Sequence, residues 1–426
     1  MKIGYACMTL GVDGTKIGGC QLKQATPERL KQVSEDNLSA LEAILHYNTA
    51  QGIKLFRISS DIMPLASHPD VHFHWRSCFE ERLGHIGNFV RENGIRVSMH
   101  PGQYTVLNAL DEAIRSAAAA DLRYHADFLD ALGMDGSHKI ILHIGGVYGD
   151  RSQAMERFAR EAVKLPENVF ARLVVENDDT RFPVQDVLRV SEMTGIPVVF
   201  DNFHHQLEPS PELSGLADTE IVRLCAKTWR PSDGRQKVHY SQHRPGGAPG
   251  AHSETIALER FLEWYRSLGE GPPDVMLEVK DKNLSAMKCV LALAPKLNPA
   301  RLEAEWARYK YTVLEHDAAA YNGIRQLLKD KDAIWHNAEN VVPRFYRFVD
   351  DARAVPENKG AAINALQHVW GYVRNDATDA ESKRWRVLMD RYRAGTETLA
   401  SVKNHLRKCA VRQSRAYLTE SLYFVI

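Results

Sequence analysis

The chain predicts an α/β protein, a TIM (β/α)8 barrel followed by a smaller all-α domain. Three observations carry this expectation. Eight short, largely apolar runs recur at residues 2–8, 55–60, 95–99, 139–144, 172–176, 197–201, 237–240 and 275–279, each bounded by polar turns. Stretches with helical spacing, such as 35–50, 109–132 and 256–268, lie between them. From about Arg301 the apolar runs stop and only helical periodicity remains. Short runs that are apolar throughout belong to parallel strands covered on both faces. Eight strand–helix units in about 300 residues are the count and size of a TIM barrel. A doubly wound open sheet is the competing arrangement, but no Gly-x-Gly-x-x-Gly follows the first run. The expected division is 1–298 for the barrel and 299–426 for the helices.

Composition narrows the class without deciding it. The 426 residues carry 54 Lys+Arg and 54 Asp+Glu, which argues neither for nor against a nucleic-acid partner. No apolar run approaches a membrane span, and Met1-Lys2-Ile3 leads straight into the first strand, so neither anchor nor leader is expected. The cysteines Cys7, Cys20, Cys78, Cys225, Cys289 and Cys409 are scattered with no Cys-x-x-Cys pair. That usage fits a reducing cytoplasm better than a disulfide framework.

Barrel enzymes place their chemistry at the carboxyl ends of the strands, so the residues found there matter most. The loop after the second run holds His68, the third run ends on His100, and the fourth carries His143. The fifth ends on Glu176, and the sixth gives Asp201 with His204 just beyond. The seventh presents Lys237 and His239, with His252 in the loop that follows, and the eighth ends at Glu278. A single histidine in an apolar run is more often a satisfied core residue than a ligand, and a lone strand-end carboxylate often caps the next helix. Seven consecutive strands in phase are a different case. Burying so many ionisable groups together costs on the order of several kcal/mol each unless something compensates them. Metal ions do so, and imidazoles with bridging carboxylates suit Zn or Mn. Divalent ions in such a cluster polarise a phosphodiester and generate hydroxide at neutral pH. A metal-dependent sugar isomerase or epimerase is the alternative, disfavoured because such sites lean on carboxylates with few histidines.

The motifs Arg-Ile-Ser-Ser with Pro-Leu-Ala-Ser-His-Pro in 57–69, Met-His-Pro-Gly-Gln-Tyr at 99–104, His-Ile-Gly-Gly-Val-Tyr-Gly at 143–149, Glu-Asn-Asp-Asp at 176–179, Phe-Asp-Asn-Phe-His-His at 200–205, Lys-Thr-Trp at 227–229, Lys-Val-His at 237–239 and Glu-Val-Lys-Asp-Lys at 278–282 occur in that order. Together they resemble the motifs of the UV damage endonuclease family, over residues 1 to roughly 296. The resemblance implies a barrel related to endonuclease IV that nicks double-stranded DNA immediately 5′ of UV photoproducts. The lesions would be pyrimidine dimers and 6-4 photoproducts, with abasic sites as an extension, and the products a 3′-hydroxyl and a 5′-phosphate. It implies a cluster of up to three divalent ions, Mn foremost, with Zn, Co or Mg as alternatives. The implied ligands are His68, His100, His143, Glu176, Asp201, His204, Lys237, His239, His252 and Glu278. Glu176 would bridge two ions, and Glu176, Glu278, Lys237 and His239 would carry the catalysis. The family's lysine at the position of Lys237 is carboxylated, which turns a cation into an anionic ligand; the plain alternative is a lysine that contacts phosphate. His205 is left open between a supporting and a surface role. Gln103 and Tyr104 match the family's wedge, which fills the gap left by extruded bases, and Tyr5 is expected to line the lesion pocket. This chain departs from its relatives after Tyr5, where Cys7-Met8-Thr9 stands in place of a run that often includes an asparagine. A cytoplasmic location is expected, nucleoid-associated in a bacterium; no membrane partner is expected, and protein partners are left open.

In the helical region, helices are expected over 306–328, 340–352, 359–372, 381–394, 397–408 and 414–424. Leu-Gln-His-Val-Trp-Gly-Tyr at 366–372 and the segments at 392–395 and 415–423 resemble a YbgA-type helical domain of unknown function. His368, Trp370 and Tyr372 read as core packing. Arg384, Arg386, Arg391 and Arg393 read as a solvated helix face, with DNA phosphate as the sharper alternative.

Overall fold

The computed structural model describes residues 1–426. Eight parallel strands, β1 (Ile3–Ala6), β2 (Leu55–Ile58), β3 (Arg96–Met99), β4 (Ile140–Leu142), β5 (Leu173–Glu176), β6 (Val198–Val199), β7 (Lys237–Tyr240) and β8 (Asp274–Leu277), form one sheet. Its neighbours run β6-β5-β4-β3-β2-β1-β8-β7. The remaining seam, between β6 and β7, is closed by a single parallel bridge from Asp201 to His239. The long helices α1 (Pro27–Gln51), α2 (Glu80–Glu92), α3 (Glu112–Ala131), α4 (Arg151–Ala162), α5 (Val184–Thr194), α6 (Asp218–Ala226), α7 (Leu258–Ser267) and α8 (Asn283–Ala292) alternate with these strands. This is the TIM barrel expected from the sequence.

Local chemistry explains the boundaries. α1 starts at Pro27, well before the periodic stretch at 35–50, because the Thr26 side chain accepts from the Arg29 amide and proline suits the first turn. It stops at Gly52, which adopts φ +75°. β6 is shorter than its apolar run because side chains replace the ladder at its end. Asn177 donates to the Asp201 carbonyl (3.0 Å) and accepts from its amide (2.9 Å). Asn202 does the same for Ser241 (3.2 and 2.9 Å). Two asparagines thus hold the strand end that carries Asp201.

Residues two apart along each strand share a face, and this divides the interior into layers. At the amino end lie paired charges: Arg96 with Asp274 (3.1 Å), Lys139 with Asp233 (2.6 Å) and Arg172 with Asp130 (2.6 Å). Above them come apolar side chains, including Leu55 with Met276 and Ala6, and Ile141 with Val174 and Val199. Two residues further along the same strands stand Arg57, Glu278, His143, Glu176 and Asp201.

One histidine outside that upper layer makes stability depend on pH. His138 sits before β4, with its Nδ1 3.1 Å from the Val97 amide, where it accepts a hydrogen bond. Burial pulls its pKa down from 6.5 to about 4, against the nearby Asp135. The folded form therefore binds this proton less readily than the unfolded chain. The stabilisation is present above pH 6.5 and is lost as pH falls toward 4. Between pH 7.5 and 5, denaturant unfolding of the wild type should lose about 2 kcal/mol more than His138→Gln. Equal pH slopes for the two proteins would contradict this assignment.

The contact pattern divides the chain into Met1–Thr9 with Asp13–Met287, and Leu10–Val12 with Lys288–Ile426. The second unit is helical: α9 (Pro299–His316), α10 (Ala318–Leu327), α11 (Ala338–Ala354), α12 (Lys359–Val373), α13 (Asp379–Ala394) and α14 (Leu399–Arg412) are its longer helices. The single helix expected over 306–328 is two, because the Asp317 side chain accepts from the Ala319 and Ala320 amides and starts a new helix. The core expectation for 368–372 holds for Trp370, which stacks on Trp385 with centroids 4.9 Å apart. It fails for His368 and Tyr372, which are exposed. Leu366, Val369 and Val373 fill the core, and helical spacing turns positions 368 and 372 away from that face. Arg384, Arg386, Arg391 and Arg393 are all exposed. No helix is long and apolar enough to cross a membrane.

Candidate metal centre

Glu176, at the end of β5, is the hub. Its side chain is 1% exposed, and four imidazoles surround it. His239 Nδ1 donates to Oε1 at 2.7 Å, and His100 Nε2 lies 3.3 Å from Oε2. His143 Nε2 is 3.5 Å from Oε2, and His204 Nδ1 is 3.8 Å from Oε1. Burial pushes the Glu176 carboxyl up, but His239, His143 and His100 outweigh it and hold the group ionised, well below the usual range. The reverse holds for Asp201, whose pKa is raised by burial and by the charges of Glu176 and Glu278. Burial pulls His100 down to about 4. Burial also disfavours charge on His204, but Asp201 and Glu176 outweigh it and lift the ring to about 9.

Glu278 stands beside His239, 3.3 Å from its Nδ1. Its other partner is Arg57, whose Nη1 lies 2.5 Å from Oε1. Burial raises the Glu278 carboxyl, and Arg57 and His239 more than reverse that. Arg57 lies at the position on β2 that faces inward, two residues beyond Leu55. Its role was not legible from a search for histidines and carboxylates, although the inward alternation of β2 carries the signal. Asn177 and Asn202 were missed for a similar reason: a side chain that substitutes for a ladder bond has no sequence signature.

The donor set fits divalent cations. His100, His143, His204 and His252 each donate Nδ1–H to a backbone carbonyl, of Pro101 (3.0 Å), Glu176 (3.3 Å), Asn177 (2.9 Å) and Glu278 (2.8 Å). In the neutral ring this leaves Nε2 with a lone pair, the tautomer and anchoring seen in metal-binding histidines, and His204 reaches that state once its second proton is lost. Asp201 Oδ2, His239 Nε2 and Lys237 Nζ are buried without a hydrogen-bond partner. Such atoms are rare in folded proteins unless a ligand or water satisfies them. Two groups bring their ligand atoms within 4.8 Å of one another: His100, His143 and Glu176, and Glu176, Asp201 and His239. Glu176 belongs to both.

Lys237 lies inside the barrel two residues before His239 and is buried. Burial, with Arg96 and Arg57 nearby, pulls its pKa well below the ordinary lysine value. His68 is partly exposed and lies in neither compact group; its Nδ1 accepts from the Asp70 amide (3.2 Å). His205 packs against Phe200, 5.7 Å between ring centroids. Gln103 and Tyr104 are exposed, Tyr104 at 67%. Tyr5 departs from expectation. It is fully buried, its ring packs on Phe56, and its hydroxyl donates to Asn48 of α1 (2.8 Å). Strand alternation turns position 5 toward the helices while Gly4 and Ala6 face the interior. Of Cys7, Met8 and Thr9, which follow the strand, Met8 is the exposed one.

A TIM barrel whose strand ends converge imidazoles and carboxylates on one buried glutamate defines the class: a barrel with a candidate centre for divalent metal. The comparisons narrow it. Residues 2–304 match the family described as UV-endonuclease UvdE, and the chain belongs to that family. Residues 310–426 match a family described only as a protein of unknown function, DUF1722. Curated relatives include the UV DNA damage endonuclease of Clostridium perfringens, 37% identical over 92% of both chains. That of Bacillus velezensis is 33% identical over 70% of this chain and 91% of its own. Among solved structures, the crystal structure of SacUVDE is 41% identical, with a TM-score of 0.63, over 68% of this chain and 96% of that one.

Proposed function

We propose that the protein is a metal-dependent DNA repair endonuclease that hydrolyses the phosphodiester immediately 5′ of UV photoproducts, leaving a 3′-hydroxyl and a 5′-phosphate. The convergence of His100, His143, Asp201 and His239 on Glu176, in a chain of this family, carries the reading. Up to three divalent ions, Mn foremost, would be held by these residues with His68, His204, Lys237, His252 and Glu278. When bound, such ions polarise the phosphodiester and supply hydroxide near neutral pH. The chain's own residues prepare the site. Arg57 fixes the Glu278 carboxylate, Asn177 and Asn202 hold the Asp201 strand end, and backbone carbonyls orient four imidazoles. Burial beside Arg96 and Arg57 disfavours the charged form of Lys237, which suits the amine to react with carbon dioxide. Its lone pair would form an N–C bond with release of a proton, giving a carbamate that would serve as an anionic ligand for a divalent ion.

The substrate is UV-damaged duplex DNA, acted on in the cytoplasm. Gln103 and Tyr104 project from the loop after His100 and act as the wedge. Unstacking a base step costs a few kcal/mol, least at a lesion, which makes distortion itself the signal. Replacing both by alanine should reduce the preference for damaged over undamaged duplex about tenfold or more, read as a ratio of binding constants. The decisive experiment incubates the Mn-loaded protein, its metal content measured, with a duplex bearing one photoproduct. Cleavage on its 5′ side, with undamaged duplex intact, is expected. No incision at full metal occupancy would sink the reading.

A further inference from the structure

Two neighbouring strand-end loops are built alike. After His100 come Gly102 and then Tyr104; after His143 come Gly146 and then Tyr148. In each loop the tyrosine ring folds back over the glycine two residues earlier. A Cβ on Gly102 would lie 2.4 Å from the Tyr104 ring, and one on Gly146 would lie 2.6 Å from the Tyr148 ring. The two histidines at the roots of these loops have ring centroids 5.3 Å apart. Both tyrosines are open to solvent, Tyr148 at 46%.

The Tyr148 perch is strained and specifically supported. Its φ of +53° lies in the left-handed region, which an aromatic residue disfavours. Of the five non-glycine residues with positive φ, four (Cys7, Leu65, Tyr148 and Lys282) lie on the loops after β1, β2, β4 and β8, and only Ser414 lies in the helical region. Strain of this kind gathers where a side chain must be held for a ligand. Asn108, fully buried, donates to the Gly146 carbonyl (2.7 Å) and accepts from its amide (3.1 Å). Arg157 donates to the Asn108 carbonyl (2.6 Å), and its guanidinium lies 5.4 Å from the Tyr148 ring centroid. Asn108 belongs to the same connection as Gln103 and Tyr104, so the connection that carries the first tyrosine also holds the turn beneath the second.

We propose that Tyr148 is a second aromatic platform, on which a nucleobase of the duplex stacks beside the position probed by Gln103 and Tyr104. This rests on the endonuclease reading above and adds a binding residue to it. Stacking on an aromatic ring tolerates any base, because every base offers a π face. The platform therefore recognises an unstacked base by shape and not by sequence.

The test uses the full-length, Mn-loaded protein and single-turnover incision of a photoproduct duplex over a range of protein concentrations. A second duplex carries 2-aminopurine next to the lesion. Tyr148→Ala should raise the half-saturating concentration about tenfold and abolish the protein-dependent change in 2-aminopurine fluorescence. Tyr148→Phe should retain both properties. Tyr148→Leu, which keeps apolar bulk but has no π face, should behave like the alanine variant. Wild-type half-saturation in Tyr148→Ala, or equal loss in the phenylalanine and leucine variants, overturns the platform while leaving the endonuclease reading intact. Absence of incision by the wild type instead counts against the endonuclease reading.

Discussion

Glu176→Gln should lower single-turnover incision by at least about three orders of magnitude while leaving the barrel folded. The substitution keeps the shape of the side chain and removes its charge. Glu176 is shared by both compact ligand groups, so no other single change disturbs as many donors. His239, His100 and His143 all face its oxygens and would lose the carboxylate they are arranged around. Metal content measured on the purified variant should fall by at least one ion relative to wild type. Full metal content with near-normal incision would mean that the chemistry lies elsewhere on the barrel's face.

The second large effect has opposite signs in two measurements. Lys237→Met should make the metal-free protein more stable, by roughly 1–3 kcal/mol, and should lower incision about a hundredfold or more. The stabilisation follows because the Lys237 amine is buried without a partner, with Arg96 and Arg57 adding like charge. A linear apolar side chain of similar length removes that burden. The loss of activity follows if the amine is the precursor of a carbamate ligand. Wild-type protein equilibrated with 13C-bicarbonate should show a carbamate carbon resonance that Lys237→Met lacks. A destabilised variant that still binds metal and cuts would refute both halves. Few alternatives predict this pairing, since a lysine that simply contacted phosphate would sit near solvent with its ammonium charged.

Most of the barrel was legible because parallel strands buried on both faces are apolar runs, and eight of them were plain to count. The strand-end ligand candidates were legible because ionisable residues stand out against such runs. Other features depended on which face a residue occupies. Tyr5 lies near the carboxyl end of its strand, as His100 does, yet alternation turns it to the helix layer, where Asn48 takes its hydroxyl. His368 and Tyr372 resembled core positions until the helix phase was set by Leu366, Val369 and Val373. Asp317 split a helix because a short polar side chain competes with the backbone for its amides.

The amino-acid sequence by itself determined the class of fold, the all-helical region beyond the barrel, and the donor types gathered at one end of the strands. Those properties are periodic or compositional, and every strand reports them independently. Only the tertiary structure decided which donors meet, because that depends on register and on how the sheet closes. It made Glu176 the shared hub and set Arg57 against Glu278. It also closed the barrel at Asp201 and His239. The residues of the site are thus part of the seam that completes the fold, since a closed sheet brings together residues far apart in the chain that no local pattern connects.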